Sequence, residues 1–188
     1  MRLFVALNLP KKERDRVYRS SRKLRDGDLP VNWVEPDNFH VTLKFLGEVH
    51  PDRVERVEAL LANVASATDA FDVQLKGFGA FPTIRRPRVI WLGLDPSPAL
   101  RCLKQDLEWA LATCGFERET RAFHPHLTLG RANEESGGGV FRGLDDTVAA
   151  MDYSGGFRVR SLDLMKSQLS KQGPRYTVVS SSHLNTGR

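Results

Sequence analysis

The sequence predicts an α+β fold of two lobes related by a pseudo-twofold axis, with antiparallel-rich sheets facing a central cleft and helices outside. Three observations predict it. Runs of strand character alternate with runs of helical period along the 188 residues. A shift of 86 residues, from position 40 to 126, lays strand on strand and helix on helix. The same shift lays His40-x-Thr42-Leu43 on His126-x-Thr128-Leu129, the rarest residues in the pattern. The length suits a single bilobal domain over residues 1–188.

Taken in order, Leu3 to Leu9 is a β-rich run closed by Pro10. A charged helix over Lys11 to Arg25 ends before Gly27. Trp33-Val34 and His40 to Leu46 are strands around the turn Pro36-Asp37-Asn38. A second helix, Asp52 to Ala67, carries Val54, Val57, Leu61 and Val64 at helical spacing. Strands follow at Phe71 to Phe78 and Arg88 to Leu94. A third helix is capped by Ser97, opened by Pro98 and ended by Gly115, with Leu100, Leu103, Leu107, Leu111 and Cys114 as its apolar stripe. Then come a strand at His124 to Leu129, a loop around Gly137-Gly138-Gly139, and strands at Phe157 to Leu164 and Tyr176 to Ser180.

The 86-residue echo sets Leu3-Phe4-Val5-Ala6 on Val89-Ile90-Trp91-Leu92, Pro10 on Pro96, Val17 on Leu103, and Phe71-x-Val73 on Phe157-x-Val159. The helix from Asp52 has no second copy; the glycine-rich loop takes its place. Equivalent strands packed about a pseudo-twofold axis would set His40 and His126 face to face across the cleft.

Composition narrows the partners. Lys and Arg number 28 against 23 Asp and Glu, a net charge of +5 that favours anionic ligands or simply solubility. No apolar run approaches the roughly 20 residues of a membrane span. The run Leu3 to Leu7 is too short for a signal-peptide core of about 7–15 residues. A soluble, cytoplasmic monomer is expected, with no membrane contact. Cys102 and Cys114 fall on one helix, roughly 18 Å apart at a rise of about 1.5 Å per residue. A disulfide needs Cα atoms within about 7 Å, so these are expected to be reduced core cysteines.

The chemistry lies in the twin motifs. With five histidines, nine threonines and 23 leucines, chance supplies about 0.03 His-x-Thr-Leu matches per chain, so two copies in register are a signal. On a strand, residues i and i+2 share a face about 6–7 Å apart. His40 with Thr42, and His126 with Thr128, therefore project together, while Val41, Leu43, Leu127 and Leu129 face apolar packing. Near neutrality one imidazole can be free and another protonated, which supplies a general base and a general acid. Opening a ribose 2',3'-cyclic phosphate needs both, and two threonine hydroxyls can donate to the phosphate oxygens where charge builds. The scheme requires no metal or other cofactor. A zinc site could use His124 and His126, but no third ligand stands at metal-site spacing. His50 and His183 read as surface residues.

With these motifs the chain resembles the 2H phosphoesterases, and more closely the RNA 2',3'-cyclic phosphodiesterases, also called 2'-5' RNA ligases. The resemblance runs through Arg2-Leu3-Phe4-Val5-Ala6-Leu7, Trp33-Val34, and Asn38-Phe39-His40-Val41-Thr42-Leu43-Lys44-Phe45-Leu46-Gly47. It continues in Gly77-Phe78-Gly79-Ala80-Phe81-Pro82, Arg86-Pro87-Arg88-Val89-Ile90-Trp91, and His124-Pro125-His126-Leu127-Thr128-Leu129-Gly130-Arg131, then Ser167-Gln168-Leu169 before Gly173-Pro174-x-Tyr176. It implies hydrolysis of RNA 2',3'-cyclic phosphate ends to 2'-phosphates. It further implies His40 as proton donor, His126 as proton acceptor, and Thr42, Thr128 and Arg131 as phosphate contacts. The residues themselves do not say which histidine is acid and which is base. On an ideal strand Arg131 has the opposite parity to Thr128, so it reaches the phosphate only if the strand ends or bulges near Gly130.

Around the site, Arg85, Arg86, Arg88, Arg118 and Arg121 can line an RNA path or be solvated surface. Trp33, Phe45, Phe81 and Tyr176 can stack a base or pack the core, and Phe45, sharing the parity of Val41 and Leu43, is expected in the core. Candidate substrates are RNA ends such as tRNA halves, and small cyclic nucleotides. Two other activities fit the motifs. One is 2'-5' ligation, in which an RNA 5'-hydroxyl replaces water against water's roughly 55 M. The other is a non-catalytic RNA or nucleotide-binding module, which would not need two titrating imidazoles.

Overall fold

The computed structural model describes residues 1–137 and 139–187; Gly138, in the middle of the glycine-rich loop, and Arg188 lie outside the described residues. In chain order the elements are β1 (Arg2–Asn8), α1 (Lys11–Ser20), α2 (Arg22–Arg25), β2 (Val31–Trp33), a 3-10 turn (Pro36–Asn38), β3 (His40–Glu48), α3 (Pro51–Ser66), β4 (Phe71–Pro82) and β5 (Pro87–Leu94). There follow α4 (Pro98–Ala112), β6 (His126–Ala132), α5 (Leu144–Ala149), β7 (Ser154–Val159), β8 (Ser161–Ser170) and β9 (Gly173–His183).

The helix ends follow from local chemistry. Ser97 caps α4, its hydroxyl accepting from Leu100 N at 3.3 Å, and Pro98 opens the helix. Leu100, Leu103, Leu107 and Leu111 are fully buried along one stripe. Cys102 is exposed and Cys114 only partly buried, so the expected core cysteines are surface thiols instead. Cys102 is off the apolar stripe, and Cys114 falls in the turn after the helix. His50 is exposed but not idle, since its ring accepts from Asp52 N at the start of α3. The short α5, which no periodic signal in the sequence marks, stands where a second copy of α3 would be.

The strands order as β7-β4-β5-β6-β3-β1-β8-β9, with β2 beside β6, and every pairing between these strands is antiparallel. The two expected sheets are two arms of this one. They meet at a single residue pair, Val41 with Leu127, between β3 and β6. The order β3-β1-β8-β9 in one arm mirrors β6-β5-β4-β7 in the other, which is the pseudo-twofold relation.

The arms are not the two halves of the sequence. β4, from the first half, pairs with β5, and β8, from the second, pairs with β1. The expected strand Phe157 to Leu164 is therefore two, β7 and β8, parting at Arg160 as the chain passes from one arm to the other. Phe71 and Phe157 are not equivalents: Phe71 pairs with Val159 and Val73 with Phe157 in adjacent strands. The match between β1 and β5 is also displaced by one. Asn8 pairs with His40 where Gly93 pairs with His126, and Ala6 pairs with Thr42 where Trp91 pairs with Thr128. Ala6, not Val5, thus corresponds to Trp91, because one residue of slip exchanges the faces of a strand.

One core joins Leu3, Val5, Leu7, Val41, Leu43, Ile90, Leu92, Leu127 and Leu129 to the inner faces of α1, α3 and α4. On the opposite face of β1, Phe4 and Ala6 pack with Met165 and Tyr176 in a small separate cluster. Two long hairpins bend over this second face. β4 gains a residue between Leu75 and Phe78, at Gly77 with φ +82°, and β9 gains one between Val178 and Ser180. No helix among the described residues is long and apolar enough to cross a membrane.

Candidate active site

Each motif histidine is the first residue of its strand, and each ring is held in the same way. His40 Nδ1 lies 2.8 Å from Asn38 O, and His126 Nδ1 lies 2.8 Å from His124 O. A carbonyl oxygen only accepts, so Nδ1 carries the proton and Nε2 is left as the basic nitrogen of both rings. Buried Phe39 sets the first turn, with the 3-10 turn ahead of it; buried Pro125 sets the second.

Aromatic rings fix the imidazoles further. Tyr176, from the β8–β9 hairpin, meets His40 edge to face at 4.9 Å and 77°. Phe81, from the β4–β5 hairpin, meets His126 at 5.1 Å and 83°. Phe4 lies 5.0 Å from His40, and Trp91 lies 6.5 Å from His126. Asn38 Nδ2 donates to Pro174 O at 3.4 Å, tying the tip of the β8–β9 hairpin to the turn that carries His40. Sequence reasoning misses Phe4 and Trp91; the parity of Trp91 with the motif face becomes visible only once β5 is in register with β6.

The seam between the arms brings the motifs together. Continuing the Val41–Leu127 register sets His40 opposite Thr128 and Thr42 opposite His126. Residues directly opposite stand about 4.5–5.5 Å apart at Cβ and diagonal ones about 7–8 Å, so the histidines take one diagonal and the threonines the other. Among the described residues neither threonine hydroxyl is engaged by a protein partner.

A bulge in each motif strand resolves the parity of Arg131. Ile90 pairs with Gly130 and Trp91 with Thr128, so Leu129 is an extra residue on β6. Val5 pairs with Lys44 and Ala6 with Thr42, so Leu43 is an extra residue on β3. Beyond each bulge the faces exchange. Gly130 is buried, and a Cβ there would come within 2.6 Å of the Trp33 ring. Arg131 returns to the face of His126 and Thr128, where its charge acts on both histidines. Phe45, its counterpart on β3, is 68% exposed, so the expected core position is corrected. Parity counted through an unseen bulge gives the wrong face.

Both imidazoles are pushed below their ordinary value. Burial is the main cause for each, and the positive charge of Arg131 adds to it; the carbonyl contacts of Asn38 and His124 act the other way. Of the remaining candidates, Trp33 packs over Gly130 as a wall of the fold, while Phe81 and Tyr176 pack on the histidines. Arg85 and Arg86 belong to the β4–β5 turn and Arg88 to the start of β5, at the Arg131 end of β6, whereas Arg118 and Arg121 precede its His126 end. Among the described residues no three His, Cys, Asp or Glu side chains are grouped as a metal ion would need.

Known proteins resemble the chain along nearly its whole length. Residues 15–171 match the family model described as the 2'-5' RNA ligase superfamily. An RNA 2',3'-cyclic phosphodiesterase of Methanothermobacter thermautotrophicus is 33% identical over 94% of this chain and 95% of its own length. One of Archaeoglobus fulgidus is 35% identical over 94% and 96%. Among solved structures, Escherichia coli LigT complexed with 3'-AMP superposes with a TM-score of 0.76 at 29% identity, covering 97% of each chain. A protein of Thermus thermophilus gives 0.82 at 25% identity over the whole of both.

Proposed function

The chain belongs to the 2'-5' RNA ligase superfamily of 2H phosphoesterases, and from that premise we propose that it hydrolyses RNA 2',3'-cyclic phosphate ends to 2'-phosphates. The observation that carries the mechanism is the matched pair of histidines, each with Nδ1 committed to a backbone carbonyl and Nε2 left for the reaction. His126 takes a proton from water as the water oxygen attacks phosphorus. His40, protonated at Nε2, gives its proton to the departing 3' oxygen as the P–O3' bond breaks. Thr42 and Thr128 donate to the non-bridging oxygens, and Arg131 balances their charge. One phosphorus–oxygen bond forms as the P–O3' bond breaks, and one proton goes to His126 as another leaves His40, so the scheme balances with these side chains and water.

The substrate class follows from the reacting group. A tRNA half and a small cyclic nucleotide present the same cyclic phosphate, and a 5'-hydroxyl in place of water would give a 2'-5' link. Membership of a ligase superfamily favours testing for that second outcome in the same assay. The chain acts as one bilobal catalytic unit, monomeric, in a reducing cytoplasm that suits its two free cysteines.

The test is turnover of a short RNA ending in 2',3'-cyclic phosphate, in EDTA, with and without a 5'-hydroxyl RNA. Wild type yields a 2'-phosphate, and His40→Ala and His126→Ala each lose about 10³-fold or more. A requirement for added metal, or full activity in both variants, would overturn the mechanism.

A further inference from the structure

Beside α4, a cavity of about 430 Å³ that neither motif histidine lines opens between the helix and the segment from Arg118 to Phe123. Its walls include Arg101, Lys104, Trp109, Arg118, Arg121 and Phe123. Trp109 is 55% exposed, and the Arg118 guanidinium lies 3.9 Å above its ring. The indole and the guanidinium together present a flat aromatic surface beside a cation.

The charges there are sorted. Glu108 is gripped by Lys44 and Lys104, each at 2.7 Å, and Glu119 is paired with Lys104 at 3.1 Å. Arg101, Arg118 and Arg121 have no carboxylate partner among the described residues, so the open rim is cationic. The acids serve the floor: Glu108 accepts from Glu119 N at 3.0 Å, and Lys44 donates to Glu117 O at 2.6 Å. Lys104 also donates at 2.6 Å to Leu43 O, the bulged residue of β3. The cavity floor and the motif strand are thus one hydrogen-bonded piece.

A short stretch of chain links the cavity to the second motif. Arg121 precedes His126 by five residues, a span of at most about 18 Å, and Arg121, Ala122 and His124 along it are exposed.

We propose that this cavity is a second RNA site, in which Trp109 stacks a base and Arg118 and Arg121 hold phosphates of the strand leading to the processed end. The proposal rests on the RNA-end activity proposed above. Stacking is tolerant of sequence, because every base has a π face, and the arginines follow the backbone, so the site selects single-stranded RNA by length and not by sequence. It also fixes a direction. The RNA body leaves the cleft past His124 toward α4, not past Arg131 toward the Arg85–Arg86 turn.

The experiment compares a mononucleoside 2',3'-cyclic phosphate with a 12-nucleotide RNA bearing the same end. Trp109→Ala, and the pair Arg118→Ala with Arg121→Ala, raise KM for the RNA about tenfold and leave the mononucleotide unchanged. The arginine pair also lowers the slope of log affinity against log salt, by about 0.7 for each phosphate that is no longer neutralised. Arg85→Ala with Arg86→Ala removes equal charge at the other end and has the smaller effect. Equal losses on both substrates, no loss on RNA, or a larger loss in the Arg85 and Arg86 pair each overturn the proposal. So does saturation of the cavity by free AMP with RNA binding unaffected. If wild type turns over neither substrate, the active-site reading fails by itself. Fluorescence anisotropy with a labelled RNA ending in a 3'-hydroxyl then still decides the cavity, which requires weaker binding in the same variants.

Discussion

Phe45 and Arg131 occupy equivalent places on the two motif strands, each two residues beyond an inserted leucine, and each is exposed on the face that carries the histidines. The equivalence is geometric and the chemistry is not: one arm offers the cleft a neutral ring and the other a fixed cation. A substrate with an anionic end and a flat base meets a site that is polarised in the same sense.

Arg131→Met is therefore expected to cost about 10²–10³-fold in kcat, the range for loss of one donor to a developing oxyanion. Its side chain is exposed, so Tm should move little. Steady-state kinetics and a melting curve on the same preparation check both. A large fall in Tm with kcat intact would place Arg131 in the fold and not in the reaction.

The threonines should behave alike. Thr42→Val and Thr128→Val keep shape and remove a hydroxyl that no protein group among the described residues uses. Each should lower kcat by about 10²–10³-fold and change stability by no more than about 0.5 kcal/mol. If only one mattered, the twofold reading of the phosphate site would be wrong.

Acidity follows from the imidazoles. Both are held below their ordinary value, first by burial and then by Arg131. In kcat/KM the rate falls on the acid side as the base gains a proton, and on the alkaline side as the acid loses one. With both groups lowered, both limbs lie below the free-histidine value, so the optimum is expected below about pH 6.5. The two apparent values belong to the pair and not to either ring. Initial rates from pH 4.5 to 8 test this, and a plateau extending above pH 7.5 would contradict it.

Glu108 anchors two buried ammonium groups. Burial disfavours its charge, but Lys104 and Lys44 more than offset that and hold the carboxyl below its usual value. Glu108→Ala leaves buried Lys44 without a carboxylate and Lys104 with Glu119 alone, and should cost about 3–5 kcal/mol, whereas replacing all three residues by apolar ones of similar size should cost much less. Because the folded value is depressed, this stabilisation is present above the unfolded carboxylate value near 4.5 and is lost as pH falls through the lower folded value. Urea melts at pH 7 and pH 3 measure both effects.

Much of the fold is legible in the sequence because its signals are local. Ser97, Pro98 and the leucine stripe of α4 define that helix without reference to anything else. His-x-Thr puts two functional groups on one face by strand period alone, and repetition in register marks both sites. Other features depend on partners distant in sequence. Strand period assigns Phe45 to the wrong face because it counts through a bulge that exists only against β1. Phe71 and Phe157 look like repeats because similar strands look alike whether they are equivalents or neighbours.

By itself, then, the sequence determined most of the strands and the long helices, the duplicated motif, and the four side chains proposed to act together, since all of these follow from periodicity and residue chemistry. Only the tertiary structure decided how the halves interleave, which face Arg131 and Phe45 present, and which ring nitrogen is free. Those depend on strand order, register and a carbonyl two residues upstream, which take their meaning from contacts the chain makes after it has folded.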